Sequence, residues 1–405
     1  MPGQDSKAQP ASFLHWRQIP RSVWALGLVS LLMDTSSEMV NALLPLYLVT
    51  VLGASTVIIG VIEGIAEATA SIVKIFSGAL SDRLGRRKPI VAAGYGLAAA
   101  TKPIFPLAGS VGWIIAARFI DRVGKGIRDA PRDALMADIS PAEIRGAAFG
   151  LRQSLDTAGA FLGPLLAILI MMATASNFII VFWVAVIPAL LSFAVMLFAV
   201  DEPDPAPSEI VRPSLSGAEL ARLGGSFWFV VGVAAIFTLA RFSEAFLLLR
   251  AQSVGFSPTL APTVMLIMNV VYASAAWPAG LLSDRIGRNG LLMGGFAMLV
   301  AADLMLAFAS DKSAVAVAAA VWGLHMGLTQ GLLASLVADT APDDLRGTAF
   351  GVFNLVIGIG ALAASIVAGT LWQLFGPTST FLAGAAFTTV ALLVMPFARK
   401  TVKVG

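Results

Sequence analysis

Residues 78–91 read Gly-Ala-Leu-Ser-Asp-Arg-Leu-Gly-Arg-Arg-Lys-Pro-Ile-Val, a polar turn between two long apolar runs. A reduced copy, Gly-Leu-Leu-Ser-Asp-Arg-Ile-Gly-Arg at 280–288, lies 202 positions on when Asp82 is matched with Asp284. A second motif keeps nearly the same interval. Ala137-Asp138 with Arg145-Gly-Ala-Ala-Phe-Gly150 returns as Ala338-Asp339 with Arg346-Gly-Thr-Ala-Phe-Gly351, 201 positions later at the arginine. Two unrelated motifs at one spacing mark a duplicated unit. Parallel repeats of several membrane helices are a transporter architecture.

Composition points the same way. Of 405 residues, 58% are hydrophobic and 13% charged, and the mean hydropathy is +0.85, far from the proportions of ordinary water-soluble domains. A helix needs roughly 20 apolar residues to cross the hydrocarbon core. About twelve such runs fall between polar breaks, at 22–49, 57–80, 89–108, 112–134, 146–172, 177–200, 227–250, 259–282, 290–308, 314–337, 347–374 and 379–398. They are too long for strands and do not alternate. The expected fold is an all-α membrane protein of about twelve transmembrane helices in two six-helix pseudo-repeats.

The expected organisation is an N-terminal tail (1–20), a first bundle (21–200), a Pro-containing polar linker (201–226), a second bundle (227–398) and a C-terminal tail (399–405). Basic residues such as Arg21, Arg87, Arg145, Arg222, Arg288, Arg346 and Lys400 fall on one side if the spans alternate. The positive-inside rule then puts both termini in the cytoplasm of a multi-pass protein of the cell inner (plasma) membrane. The formal charge of +3 is a topological signal rather than a nucleic-acid footprint. There is no cysteine, no His/carboxylate cluster at metal-ligand spacing, and no Gly-x-Ser-x-Gly, His-Glu-x-x-His or phosphate-binding loop. Neither an enzyme nor a metal or cofactor is expected.

The motif at Gly78–Lys88 resembles the signature loop G-x-L-x-D-R-x-G-R-K/R between the second and third helices of the major facilitator superfamily, and matches it at every position. Gly124–Leu135, Gly-Lys-Gly-Ile-Arg-Asp-Ala-Pro-Arg-Asp-Ala-Leu, is similar to the fourth-helix ending of uncharacterised prokaryotic, efflux-type members. The resemblance implies alternating access, a central cavity lined by helices one, four, seven and ten, and a latch on the cytoplasmic side. It carries that gating role to Gly78, Asp82, Arg83, Gly85 and Arg86, and in the second copy to Asp284 and Arg285. Gly159-Ala-Phe-Leu-Gly163-Pro164 resembles the core of an antiporter signature in the same superfamily, but Leu166 and Ala167 stand where the usual following glycines would be. A kink and a close helix contact explain Gly159, Gly163 and Pro164 equally well.

Charges inside the runs are the candidates for chemistry, since they are costly in hydrocarbon and must face a bundle interior or a wet cavity. Asp34, Glu38 and Asn41 share one face of the first run, with Asp34 near mid-membrane. Glu63 and Glu67 share a face of the second. Arg118, Asp121, Arg122, Lys125, Arg128, Asp129 and Arg132 form a stripe along the fourth. Asp34, Glu38, Glu67 and Asp156 are the candidate proton-coupling carboxylates, with Asp156 a candidate partner of the fourth-run arginines. Asn41, Arg118, Arg122, Arg241, Glu244 and His325 are the candidate substrate-binding residues. For each, a purely structural ion pair or hydrogen bond competes with the functional reading.

The resulting expectation is a proton-coupled secondary transporter exporting a small organic compound. Its partners would be that solute, protons and the lipid bilayer, and it would act as a monomer. One alternative is transport of an anionic solute countered by Arg118, Arg122 and Arg241. Another is a membrane sensor built on a transporter fold.

Overall fold

The computed structural model describes residues 19–141, 144–202, 217–329, 332–342 and 345–401. Side chains are described for all of these except 217–219, 277, 280–281, 283–286 and 396–401. The expected N-terminal tail up to residue 18, the greater part of the linker, and the Asp284 and Arg285 side chains therefore lie outside the described residues.

Every element described is a helix. In the first half of the chain these are α1 (Arg21–Asn41), α2 (Leu44–Thr50), α3 (Thr56–Leu84), α4 (Lys88–Thr101), α5 (Ile104–Leu107), α6 (Val111–Ile139), α7 (Arg145–Ala173) and α8 (Phe178–Phe198). A short α9 (Gly217–Arg222) follows, then α10 (Gly224–Ala240), α11 (Ala245–Ser253), α12 (Thr263–Ile286), α13 (Arg288–Phe308), α14 (Lys312–Thr329), α15 (Leu332–Thr340), α16 (Arg346–Phe375) and α17 (Pro377–Thr401). Among the described residues, ten helical segments are long and apolar enough to cross a membrane. The charged helix α6 does not qualify by composition, and α12 contributes the shorter apolar stretch Thr263–Ala276.

Local chemistry sets several boundaries. Ser55 caps α3 by accepting from the Ile58 amide at 3.3 Å, and α3 ends at Gly85, whose φ of +62° is a left-handed conformation open to glycine. Asn177 caps α8 by accepting from the amides of Ile179 and Ile180. The separation of α1 from α2 follows from Pro45, which has no N–H to give the Asn41 carbonyl one turn back. The gap between α10 and α11, Arg241–Glu244, contains neither proline nor glycine.

Packing repeats along with the sequence. Helix α6 packs on α3 and α4 as α14 packs on α12 and α13, and α1 meets α7 and α8 as α10 meets α16 and α17. Contacts between the two sets of helices run through α3 with α16, α7 with α12 and α2 with α11. Backbones come very close at these crossings. A Cβ on Gly64 would lie 2.9 Å from the Leu362 carbonyl oxygen, and one on Gly358 would lie 2.8 Å from the Ser71 Cβ. Cross-ties gather at the end away from the signature loop, where Thr56 donates to the Gly369 carbonyl at 3.1 Å and Ser176 and Thr259 share a hydrogen bond of 2.7 Å.

Candidate functional site

A cavity of about 500 Å³ lies between the two sets of helices, within the size range of small-molecule sites. Its wall carries four acids, Glu38, Glu63, Glu67 and Glu244, and four bases, Arg118, Arg122, Lys125 and Arg241. Phe237, Phe242, Trp322 and Phe353 supply much of its apolar surface. The broken helices bring much of this together: α1 delivers Glu38 and Asn41 where it stops, and the gap between α10 and α11 delivers Arg241, Ser243 and Glu244. Interrupted helices at mid-membrane are tolerated where they line a cavity.

Most charges on the N-terminal side are already engaged. Arg118 gives Nη2 to Glu63 Oε2 at 3.0 Å and Nη1 to Asn41 Oδ1. Asn41 Nδ2 donates in turn to Glu38 Oε1 at 2.9 Å. Arg122 lies 3.9 Å from Glu67 and 3.9 Å from Asp121. Asp121 is bound behind the wall by buried Lys102, whose Nζ is 2.9 Å from Oδ1 and also donates to Ser37 at 3.1 Å. Glu63 reaches across the cavity as well, accepting from Ser243 Oγ at 3.2 Å. Ser243 Oγ also accepts from the Ala245 amide at 3.2 Å, so one hydroxyl fixes the helix gap and ties it to α3.

Seven of the ten residues proposed for coupling or binding therefore line the cavity: Glu38, Asn41, Glu67, Arg118, Arg122, Arg241 and Glu244. Three do not. His325 is fully buried with Nδ1 2.8 Å from the Gly295 carbonyl and its ring against Phe237, so it fastens α14 to α13 behind the cavity instead of lining it. Asp156 accepts from Arg152, one turn earlier on its own helix, at 2.6 Å, and among the described residues no arginine of α6 lies within salt-bridge distance of it. Asp34 sits where α7 crosses α1, its Cβ 2.9 Å from the place a Cβ on Gly159 would take. Gly159 and Gly163 are the close-approach points of that crossing, and Pro164 lies buried within α7 beside them.

At the signature loop the pairing falls on a residue not singled out beforehand. Arg83 and Arg86 are exposed, whereas Arg87 bridges Asp82 at 3.3 Å and Asp138 at 2.6 Å. Gly78 rests against Ala130 of α6. The C-terminal copy forms the pair Arg288–Asp339, in which Asp339 is the repeat of Asp138, while Arg288 is the repeat of Arg86 and takes the place that Arg87 takes in the first half. Asp138 stood in the repeated motif, but the repeat spacing marked Arg86 and gave no signal for Arg87. Glu63, Lys125 and Ser243 were also missed as wall residues. Glu63 and Lys125 lie on charged faces visible in the sequence, while Ser243 carries no local signal.

A two-sided helical bundle closed around a charged central cavity defines a membrane transporter of small solutes. The Major Facilitator Superfamily pattern matches residues 26–364 and 229–404, and the chain belongs to that family. It is 32% identical over 389 residues to an uncharacterized MFS-type transporter of Methanocaldococcus jannaschii, covering 94% of this chain and 96% of that one. It is 25% identical over 389 residues to the inner membrane transport protein YajR of Escherichia coli K12, covering 92% of this chain and 82% of that one. The crystal structure of the nucleoside transporter NupG superposes with a TM-score of 0.75 at 13% identity, over 94% of this chain and 100% of that one. The chain is thus a multi-pass plasma-membrane transporter and not an enzyme.

Proposed function

We propose that this transporter is a proton-coupled secondary carrier that exports a small organic solute by alternating access, acting as a monomer. The observation that carries the reading is the cavity of about 500 Å³ in which Glu38, Glu67 and Glu244 face solvent-accessible space between the two sets of helices. Carboxylates at that depth can exchange protons and cargo in turn. In this reading the chain crosses the bilayer twelve times, in two six-helix bundles at 21–200 and 227–398, with both termini and the 201–226 linker in the cytoplasm. The cross-ties of Thr56 with Gly369 and Ser176 with Thr259 support a state sealed on the outer side. Proton coupling then falls to Glu38, Glu67 and Glu244, and solute binding to Asn41, Arg118, Arg122 and Arg241. Asp82, with Arg87 and Asp138, belongs to the cytoplasmic latch. The Gly159–Pro164 motif supports the outward direction of transport.

A second reading, transport of an anionic solute, is favoured by Arg241, which is exposed to the cavity with its guanidinium 5.8 Å from the centroid of the Phe237 ring. Proteoliposomes carrying a pH dye test both. Export predicts proton movement triggered by an organic cation or zwitterion and lost in Glu38→Gln or Glu244→Gln. Flux triggered by anions alone, and lost in Arg241→Gln, would replace the first reading by the second. Silence to all solutes from folded protein would favour a sensor.

A further inference from the structure

We infer that the cargo is a compact zwitterion with an apolar body, whose anionic group is received by Arg241 and whose cationic group is received by Glu244. This rests on reading the cavity as the transport site.

The argument starts from the balance of the wall. Four acids face four bases, so the lining as a whole favours neither sign. Arg118 with Glu63, and Arg122 with Glu67, take up two of each among themselves. Among the described residues, Lys125 and Arg241 have no carboxylate within salt-bridge distance, and Glu38 and Glu244 have no cationic side chain within it. A purely anionic solute bound at Arg241 would meet Glu244 three positions along the same helix gap, a like charge in a partly desolvated site. A purely cationic solute bound at Glu244 would meet Arg241 in the same way. Only a solute carrying both signs turns each of these neighbours into a partner. Lys125 of α6 and Glu38 of α1, on the other side of the cavity, provide a second pair of the same kind.

The remaining wall sets the body of the solute. Phe237 lies one turn before Arg241 and Phe242 directly after it, and Trp322 and Phe353 line the cavity from α14 and α16. Such a surface rewards an aromatic or aliphatic core held between two charged ends. The gap that presents Arg241 and Glu244 is fastened by Ser243 to Glu63 of α3, so a solute seated there touches the contact that joins the two sides.

The test uses the purified full-length protein and two families of probes. One is phenylalanine, N-acetylphenylalanine and phenylalanine methyl ester; the other is ε-aminocaproate with its N-acetyl and methyl ester forms. Ligand-induced shifts of thermal unfolding give relative affinities. The expected result is that at least one zwitterion binds, and binds about tenfold or more tightly than either of its blocked forms, because each blocked form leaves a wall charge unpaired. In Arg241→Gln the zwitterion should bind no better than its ester. In Glu244→Gln it should bind no better than its N-acetyl form. An ester or N-acetyl compound that matches its parent in the wild type overturns the inference, as does failure of every probe on protein that elutes as a single species and unfolds cooperatively. Zwitterion binding without solute flux in proteoliposomes would refute the transport reading and leave the ligand class standing.

Discussion

Gly163 of α7 lies so close to Glu38 of α1 that a Cβ placed on it would stand 2.5 Å from the Glu38 Cβ and 2.9 Å from the Thr35 carbonyl oxygen. The helix crossing and the cavity carboxylate are therefore set by one missing methyl group. Gly163→Ala should force α1 and α7 apart, costing about 1–3 kcal/mol and moving Glu38 off its bond with Asn41. Thermal unfolding together with proton flux checks this. Lost stability with normal coupling would mean that Glu38 needs no fixed position.

Arg118 and Glu63 form the best-buried ion pair on the wall, with side chains 5% and 9% exposed. Removing one partner strands the other in low dielectric, so Arg118→Met should destabilise by about 3–5 kcal/mol. Arg118→Met combined with Glu63→Gln should recover much of that loss, because neither charge is then left alone. A double-mutant cycle in unfolding measurements decides it. Additive losses would show that the pair is not coupled.

Asp303 of α13 is fully buried, with no hydrogen-bond partner for either carboxyl oxygen among the described residues, and Gly384 of α17 faces it. A Cβ at Gly384 would lie 2.6 Å from Asp303 Oδ2 and 3.0 Å from Phe242 Cε1. Gly384→Ala should therefore destabilise despite the gain of up to about 1 kcal/mol in helix propensity. In an Asp303→Ala background the largest clash is gone, and the same change should become neutral or stabilising. Loss of stability in both backgrounds would place the obstruction at Phe242 instead.

How far these relations were legible depends on what holds each element. The helical runs were readable because bilayer length and composition dictate them. The run expected at 57–80 is α3 at Thr56–Leu84, and that expected at 347–374 is α16 at Arg346–Phe375. The break after Asn41 had a local cause in Pro45. The break at Arg241–Glu244 did not, because it is secured by Ser243 bonding to Glu63, 180 positions away in sequence. The burial of His325 against α13 was illegible for a related reason: α14 is rich in alanine and glycine around its whole circumference, so no stripe announces which side meets α13. Charge pattern marked Glu38, Glu67 and Arg118 as inward-facing but said nothing of which partner each would take.

The last prediction concerns Glu202, just beyond the end of α8. Glu202 accepts hydrogen bonds with one carboxylate oxygen from the Arg87 and Lys88 amides, the latter at 3.0 Å. Those amides open α4, directly after the signature loop, and Arg87 is the residue that bridges Asp82 and Asp138. Helix α4 has no side-chain cap from Arg87 itself, so a carboxylate from over a hundred positions away does that work, where free N–H groups and the helix dipole favour negative charge. Glu202→Ala should cost about 1 kcal/mol and speed amide hydrogen exchange in the segment that begins α4. Glu202→Gln keeps an acceptor oxygen and should do so less. The surface pairs of Arg87 are worth little by themselves, so Arg87→Gln should leave that exchange nearly unchanged. Equal acceleration in Glu202→Ala and Arg87→Gln would show that the salt bridges, and not the cap, hold the loop. A cap that acts as expected would let Glu202 hold the start of α4, next to the signature loop, through a single side chain.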